Sequence, residues 1–284
     1  MPYLKIPHDR VFYASYPPTS YQSPRAILFL HHGLGSTHAY YSPIIPLLTS
    51  PPHNFHCITY DSRSSGLSTI SINSQSIQSL AQDAIDVLDA LEVKEKVVFV
   101  GHSIAGVVAA ELAATRSDRL LGAVMLGPVL PSENVKETFE QRVKTVEKEG
   151  MEAMANTIPT AATGTKSTPL QHAMIRSLLL SQKVEGYSSM CRVVGGASSP
   201  DYAAVGISTL LVAGEEDKSA PLKGCEEIFR RLGGEKNMEI EKGVGHWFCI
   251  EDPDTTVSLI ARFVDGLING KRDNRTRDPY RKSF

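Results

Sequence analysis

An α/β fold, in which a mostly parallel sheet carries helices on both faces, is what the 284-residue sequence predicts. Three observations carry the prediction. Short apolar runs of strand length alternate with longer stretches of helical spacing. Eight such runs are present, enough for one large sheet. Hydrophobic residues make up 42% and charged residues 21%, close to a folded globular average, so the chain as a whole is expected to fold.

The elements follow in order. "YLKIP" and "VFYASY" read as an opening hairpin, "AILFLHH" (26–32) and "FHCITYD" (55–61) as buried strands. In "SIQSLAQDAIDVLDALEV" (76–93), Ile77, Leu80, Ala81, Ala84, Ile85, Leu88 and Leu91 recur at helical spacing. "KVVFVG" and "LLGAVMLGP" are further buried strands, and the alanine-rich run from Ser103 between them is a helix. From 131 to 205 no convincing strand occurs; four helical stretches take its place. Strands resume at "STLLVAG" (208–214) and "NMEIEKG" (237–243), with helices near 221–232 and 253–268. The expected organisation is therefore a core of residues 1–130 and 206–270, a helical insert at 131–205, and a flexible charged tail at 271–284.

Composition excludes several classes. A net charge of −2 makes no electrostatic case for nucleic acid or a membrane surface. The tail carries six basic residues, but a solvated tail is the simpler reading. The four cysteines show no C-x-x-C and no pairing with histidines, which argues against zinc and against a disulfide scaffold. "MPYLKIPHDR" has no apolar core for a signal peptide, and no run approaches the ~18 apolar residues of a membrane span. The expected compartment is the cytoplasm, with a small-molecule substrate, no cofactor and no metal.

"VVFVGHSIAGVVAAELA" (97–113) places Ser103 at the corner between a strand and a helix. A serine hydroxyl needs a base to take its proton, and the base needs a group to orient it. A corner tight enough to expose the hydroxyl at the carboxyl end of a sheet requires small neighbours two positions away, here Gly101 and Ala105. The rival reading is a tight turn with an incidental serine. Other parts lie at the ends of other strands: His32-Gly33-Leu34-Gly35 after the first buried strand, Asp217 in "AGEEDKSAP", and His246 in "GVGHWFCIEDP". His32 is equally suited to holding its loop, and a lone histidine beside Trp247 is more often packed than catalytic. The order Ser…Asp…His, each member at the carboxyl end of a strand, argues against coincidence.

Together "HHGLGS", "YDSRSSGLS", "GHSIAG", "AGEEDKSAP" and "GHWFCIEDP" resemble the successive signatures of the α/β-hydrolase fold family, in order and spacing, over residues 1 to about 270. The resemblance implies Ser103 as nucleophile, His246 as general base and acid, and Asp217 as its orienting carboxylate. It implies the N–H groups of Leu34 and Ile104 as an oxyanion hole. It further implies that the insert is a cap roofing the substrate pocket. Asp217 is preferred over Glu215 and Glu216 because it matches the family's G-x-x-D and has the shorter side chain. Two departures stand out: Ala105 and Ser64 occupy positions that are often glycine in the family. Asp61 and Arg63 are read as an ion pair tying loops near the site, and Cys249 as a packing residue.

Within the family, the stretch "GMEAMANTIPTAAT…MIRSLLLSQKVEGYSSMCRVV" resembles the 3-oxoadipate enol-lactonase group and its fungal relatives. The expected activity is hydrolysis of a small ester or lactone through an acyl-enzyme. C–C bond hydrolysis and a slow-turnover small-molecule receptor are the alternatives. Epoxide and haloalkane chemistry is excluded, since it needs a carboxylate at position 103. The insert balances eight Lys/Arg against eight Asp/Glu. An anionic substrate would therefore need a specific cation, for which Arg176 or Arg192 is available, although a solvated surface position is the simpler reading of both, and Trp247 is expected beside the substrate.

Overall fold

A computed structural model describes residues 2–7, 9–20 and 22–270. The proposed tail, 271–284, lies outside the described residues. Eight strands form one sheet in the order β1-β2-β4-β3-β5-β6-β7-β8. They are β1 (Tyr3–Lys5), β2 (Arg10–Tyr16), β3 (Ile27–His31), β4 (His56–Tyr60), β5 (Val97–His102), β6 (Leu120–Leu126), β7 (Thr209–Gly214) and β8 (Lys236–Glu241). The pair β1–β2 and the pair β2–β4 are antiparallel, and from β4 to β8 every pairing is parallel.

Among the described residues there are ten α-helices, eight between strands and two after β8: α1 (Ile45–Thr49), α2 (Ile77–Ala90), α3 (Ile104–Thr115), α4 (Glu133–Glu149), α5 (Met151–Ala161), α6 (Pro169–Leu180), α7 (Val184–Gly195), α8 (Leu222–Arg231), α9 (Phe248–Glu251) and α10 (Pro253–Ile268). The short α1 and α9 have no sequence signal of their own; one or two turns are too few to show a helical period.

The sheet explains its own sequence. On one face Phe29, Ile58, Phe99, Met125 and Leu211 pack against α2, α3 and α8. On the other, Leu28, Leu30, Val98, Val124 and Val212 pack with α1 and α10. Strands buried on both faces must be apolar at successive positions, which is why they read as runs rather than as alternation. At 14 residues α2 needs a firm start, and Ser76 and Ser79 form a reciprocal capping box there.

The insert, α4 to α7, leaves the core after β6 and returns before β7. Because β3 to β8 run parallel, the turns that follow β3, β5 and β7, and the loop that follows β8, open at one edge of the sheet, below the insert. No helix among the described residues is long and apolar enough to cross a membrane. All four cysteines are buried and free.

Candidate active site

The corner after β5 is as tight as its small residues imply. Ser103 has φ 58° and ψ −119°, a left-handed conformation that L-residues other than glycine rarely adopt. Its N–H donates to the Leu126 carbonyl at 2.8 Å, and its own carbonyl accepts from Gly106 N–H at 2.9 Å. A Cβ at Gly101 would lie 2.0 Å from the Ala105 carbonyl oxygen, so no larger residue fits there. Ala105 is itself fully buried.

Three turns bring three side chains to this corner. Ser103 Oγ lies 2.9 Å from His246 Nε2, and His246 Nδ1 lies 2.7 Å from Asp217 Oδ2. A carboxylate only accepts, so Nδ1 carries the proton and Nε2 is left to accept from the serine. The second oxygen of Asp217 accepts from Ser219 N–H and Ala220 N–H, each at 2.8 Å. Asp217 is thereby locked by its own turn, and its carboxylate is wholly buried.

The neighbouring acids do other work. Glu215 accepts from Gly243 N–H at 2.9 Å, and Glu216 accepts from Thr165 N–H and Oγ1 at 2.8 Å each. Both tie loops together away from the imidazole.

His32 holds the turn after β3. Its Nε2 accepts from Ser62 N–H at 3.1 Å, which leaves Nδ1–H to donate to the Gly33 carbonyl at 2.7 Å. Burial lowers its pKa and keeps it neutral. Leu34, next in that turn, borders the same cavity as Ser103. The N–H groups of Leu34 and Ile104 donate to no acceptor among the described residues. His102 donates through Nε2 to the His246 carbonyl at 2.8 Å, and burial holds its pKa well below the ordinary value.

A cavity of about 600 Å³ opens between this corner and the insert. Ser103, His246 and Trp247 lie at its base; Arg142, Ile158 and Tyr187 come from the insert. The Trp247 indole N–H is buried and has no acceptor among the described residues. Arg142, on α4, lies over the Phe139 ring at 4.6 Å and forms no ion pair within 4 Å among the described residues. Burial pushes the Tyr187 phenol upward, with Cys191 adding to the shift and the Arg142 charge opposing it.

Two expectations are corrected. Arg192 does not border the cavity; it lies on the outer side of the insert, exposed and paired with Glu147 at 2.7 Å. It sits on α7 one helical face away from Tyr187, so its long side chain runs outward. Arg176 is likewise exposed, beside Asn156. Lys218, from the core, borders the cavity; of the insert's cations the one that borders it is Arg142, which the sequence does not single out within "QRVKTVEKEG". Its position becomes legible only from the face that Phe139, Val143 and Val146 bury.

Asp61 and Arg63 do not pair with each other. Asp61 accepts from His38 N–H at 2.6 Å, from His38 Nδ1 at 2.8 Å and from Leu67 N–H at 2.9 Å. Arg63 turns the other way, to Asp83 at 2.6 Å and Asp9 at 3.4 Å. Each has partners of its own: the turn that follows, with Ser64 at φ 68°, brings Leu67 N–H back to Asp61, while Asp83 of α2 meets the Arg63 guanidinium. Cys249 is fully buried and burial pushes its thiol up, consistent with packing. Among the described residues no cluster of three or more His, Cys, Asp or Glu is placed to hold a metal ion.

Residues 27–259 match the model of the alpha/beta hydrolase family. The chain belongs to that family. Among solved structures, an enol-lactonase from Burkholderia xenovorans superposes with a TM-score of 0.84 at 22% identity, over 93% of this chain and 100% of that one. A thermophilic esterase from Thermogutta terrifontis gives 0.81 at 20% identity, over 93% and 98%. At these identities the alpha/beta hydrolase neighbours speak for the fold. A curated protein of Agrobacterium fabrum, RutD, whose name carries a provisional assignment as a carbamate hydrolase, is 28% identical over 135 residues. That match covers 46% of this chain, and the chain spans about half the length of that relative.

Proposed function

We propose that the chain is a serine hydrolase that cleaves a small ester or lactone, with Ser103 as nucleophile, His246 as general base and acid, and Asp217 as the orienting carboxylate. The observation that carries the reading is the continuous relay from Ser103 Oγ to His246 Nε2 (2.9 Å) and from His246 Nδ1 to Asp217 Oδ2 (2.7 Å) at a strained strand–helix corner. Ser103 attacks the carbonyl as His246 takes its proton. Asp217 holds the tautomer and stabilises the imidazolium that forms. The N–H groups of Leu34 and Ile104 receive the developing oxyanion. His246 then protonates the leaving oxygen and activates the water that releases the acyl group. Residues 131–205 act as the cap.

A lactone bearing a carboxylate is the substrate class we favour. In a lactone the leaving oxygen stays tethered to the acyl group, so one cavity must hold a single ligand through both steps. The about 600 Å³ available takes such a ligand with room for ring substituents. Arg142, without an acidic partner in the cavity, is available to receive the carboxylate. The likeness to an enol-lactonase supports the same choice.

The test is labelling of the purified protein with a fluorophosphonate probe, then parallel assay of carboxylated enol- and γ-lactones, long-chain p-nitrophenyl esters and dienone substrates of C–C cleavage. Labelling at Ser103 and the highest kcat/KM on the lactones are expected. Preference for dienones reassigns the chain to C–C hydrolysis. A single slow turnover with a stable adduct reassigns it to a receptor.

A further inference from the structure

His246 sits in a loop, yet its imidazole must be held between two fixed partners. Two of the five residues of that loop, Gly243, Val244, Gly245, His246 and Trp247, are glycine, one of them directly before the histidine. The backbone on either side of His246 needs a support to hold the imidazole in one place.

Glu251, at the end of α9, meets that need. One oxygen accepts from Gly245 N–H at 2.9 Å, and the other accepts from Trp247 N–H at 2.8 Å. These are the residues immediately before and after His246. The first oxygen also accepts from Gly164 N–H at 2.7 Å, in the loop between α5 and α6 of the insert. One carboxylate therefore grips both shoulders of His246 and a loop of the insert.

The insert loop is pressed against the histidine loop at backbone distance. A Cβ at Gly164 would lie 2.2 Å from the Gly243 carbonyl oxygen, and the His246 N–H donates to the Ala162 carbonyl at 2.8 Å. Gln171 of α6 adds bonds to the Ile250 and Glu251 carbonyls at 2.8 and 3.0 Å. Among the described residues, no hydrogen bond of the Glu251 or Gln171 side chain runs to Ser103 or Asp217.

We infer that Glu251 is a positioning residue for His246, coupling the insert to the catalytic loop so that the imidazole is aligned only while the insert is docked. The inference rests on the reading of His246 as the base. Removing a charged acceptor that serves three N–H groups leaves those donors to find water or each other, and the histidine loop loses its registration.

The test compares the wild type with Glu251→Gln, which keeps the shape but turns an amide NH₂ toward at least one of the three donors. Two readouts are taken: the rate of fluorophosphonate labelling at Ser103, and the low-field proton resonance of the His246 Nδ1–H bond to Asp217. The expected result is at least a tenfold slower labelling rate, with that resonance shifted or broadened and the melting temperature within about 3 °C of wild type. An unchanged labelling rate and resonance overturn the inference, and so does a fall in melting temperature with both unchanged, which marks Glu251 as structural only. Should Glu251→Gln fail to fold, Glu251→Asp is read instead; its shorter carboxylate is expected to give an intermediate rate, and a wild-type rate overturns the inference. A wild type that does not label at all refutes the hydrolase reading instead, and the resonance then still reports whether Glu251 positions His246.

Discussion

The carboxyl edge of the sheet and the insert above it build one cavity from two different kinds of residue. At the sheet edge each side chain is fixed by its backbone. Ser103 is held by a turn into which no side chain at position 101 would fit, and Asp217 by two amides of its own turn. In the insert the side chains that reach the cavity are ordinary members of helix faces: Arg142 on α4, Ile158 on α5, Tyr187 on α7. The edge has little freedom to change without losing its geometry. The insert can exchange residues within a helical period at small cost to the fold. On the function proposed here, chemistry belongs to the first region and substrate choice to the second.

The largest effects should come from breaking the edge. Ser103→Ala is expected to abolish probe labelling and lower turnover by roughly 10⁴-fold or more, as loss of a triad nucleophile does. Asp217→Asn should leave the fold intact while lowering turnover by about 10³–10⁴-fold, because the imidazole loses its tautomer. Glu216→Gln, one residue away, should change turnover by less than about threefold, since its carboxylate serves Thr165. Steady-state kinetics on the three purified variants decide the matter. A crippled Glu216→Gln with an active Asp217→Asn would place the orienting acid on the wrong residue.

Ala105→Leu attacks the same region through sterics alone. Ala105 is fully buried and its carbonyl lies where a Cβ at Gly101 would be, so three added carbons have nowhere to go. Overpacking typically costs about 1–3 kcal/mol, and here the corner itself must deform. A melting temperature lower by several degrees, and activity lower by at least tenfold, are expected. A fully stable and active Ala105→Leu would mean that the corner has slack which the geometry denies.

What was legible in the sequence follows the same division. Gly101, Ser103, Asp217 and His246 stand at strand ends, where residue type is dictated by close backbone approach and the pattern is local. The runs of β3, β5, β6 and β7 were equally legible because burial on both faces leaves few polar positions. Arg142 was not legible, because a cation on one face of a charged helix looks like any solvated residue until the neighbouring helices are placed. The same blindness made Arg192 a candidate, although it pairs with Glu147 outside the cavity. The partners of Asp61 and Arg63 were hidden for a related reason: contacts to His38, Asp83 and Asp9 span 20 residues or more, and no local spacing encodes them.

The insert is tested more gently. Arg142→Gln should leave Ser103 labelling within about twofold and raise KM by roughly 10–100-fold for carboxylated lactones, the value of one charge-assisted hydrogen bond. Neutral p-nitrophenyl esters should change by less than about threefold. An equal loss on charged and neutral substrates would make Arg142 a support of the cap rather than a selector.

The smallest effect separates the frame from the site within the core itself. Glu241, at the end of β8, is buried, and its carboxyl is met by Thr256 Oγ1 at 3.0 Å. Burial pushes its pKa up to about 8; the Thr256 bond opposes the shift, while Asp252 and Glu251 add to it. The folded chain therefore holds a proton that the unfolded chain, with an ordinary carboxyl near 4.5, has already released at neutral pH. The sign follows: this contribution to stability is fully present below about pH 4.5 and is lost as pH rises toward about 8. Glu241→Gln removes the titrating group and keeps an acceptor for Thr256. The difference in melting temperature, variant minus wild type, should grow in the variant's favour by about 3–8 °C between pH 4.5 and pH 8.5. Turnover at any fixed pH should stay within about twofold, because Glu241 touches none of Ser103, Asp217 or His246. Parallel melting curves across that range would show that the carboxyl is not held protonated. A change in turnover that tracks the melting temperature would show that frame and site are not separable at this edge of the sheet.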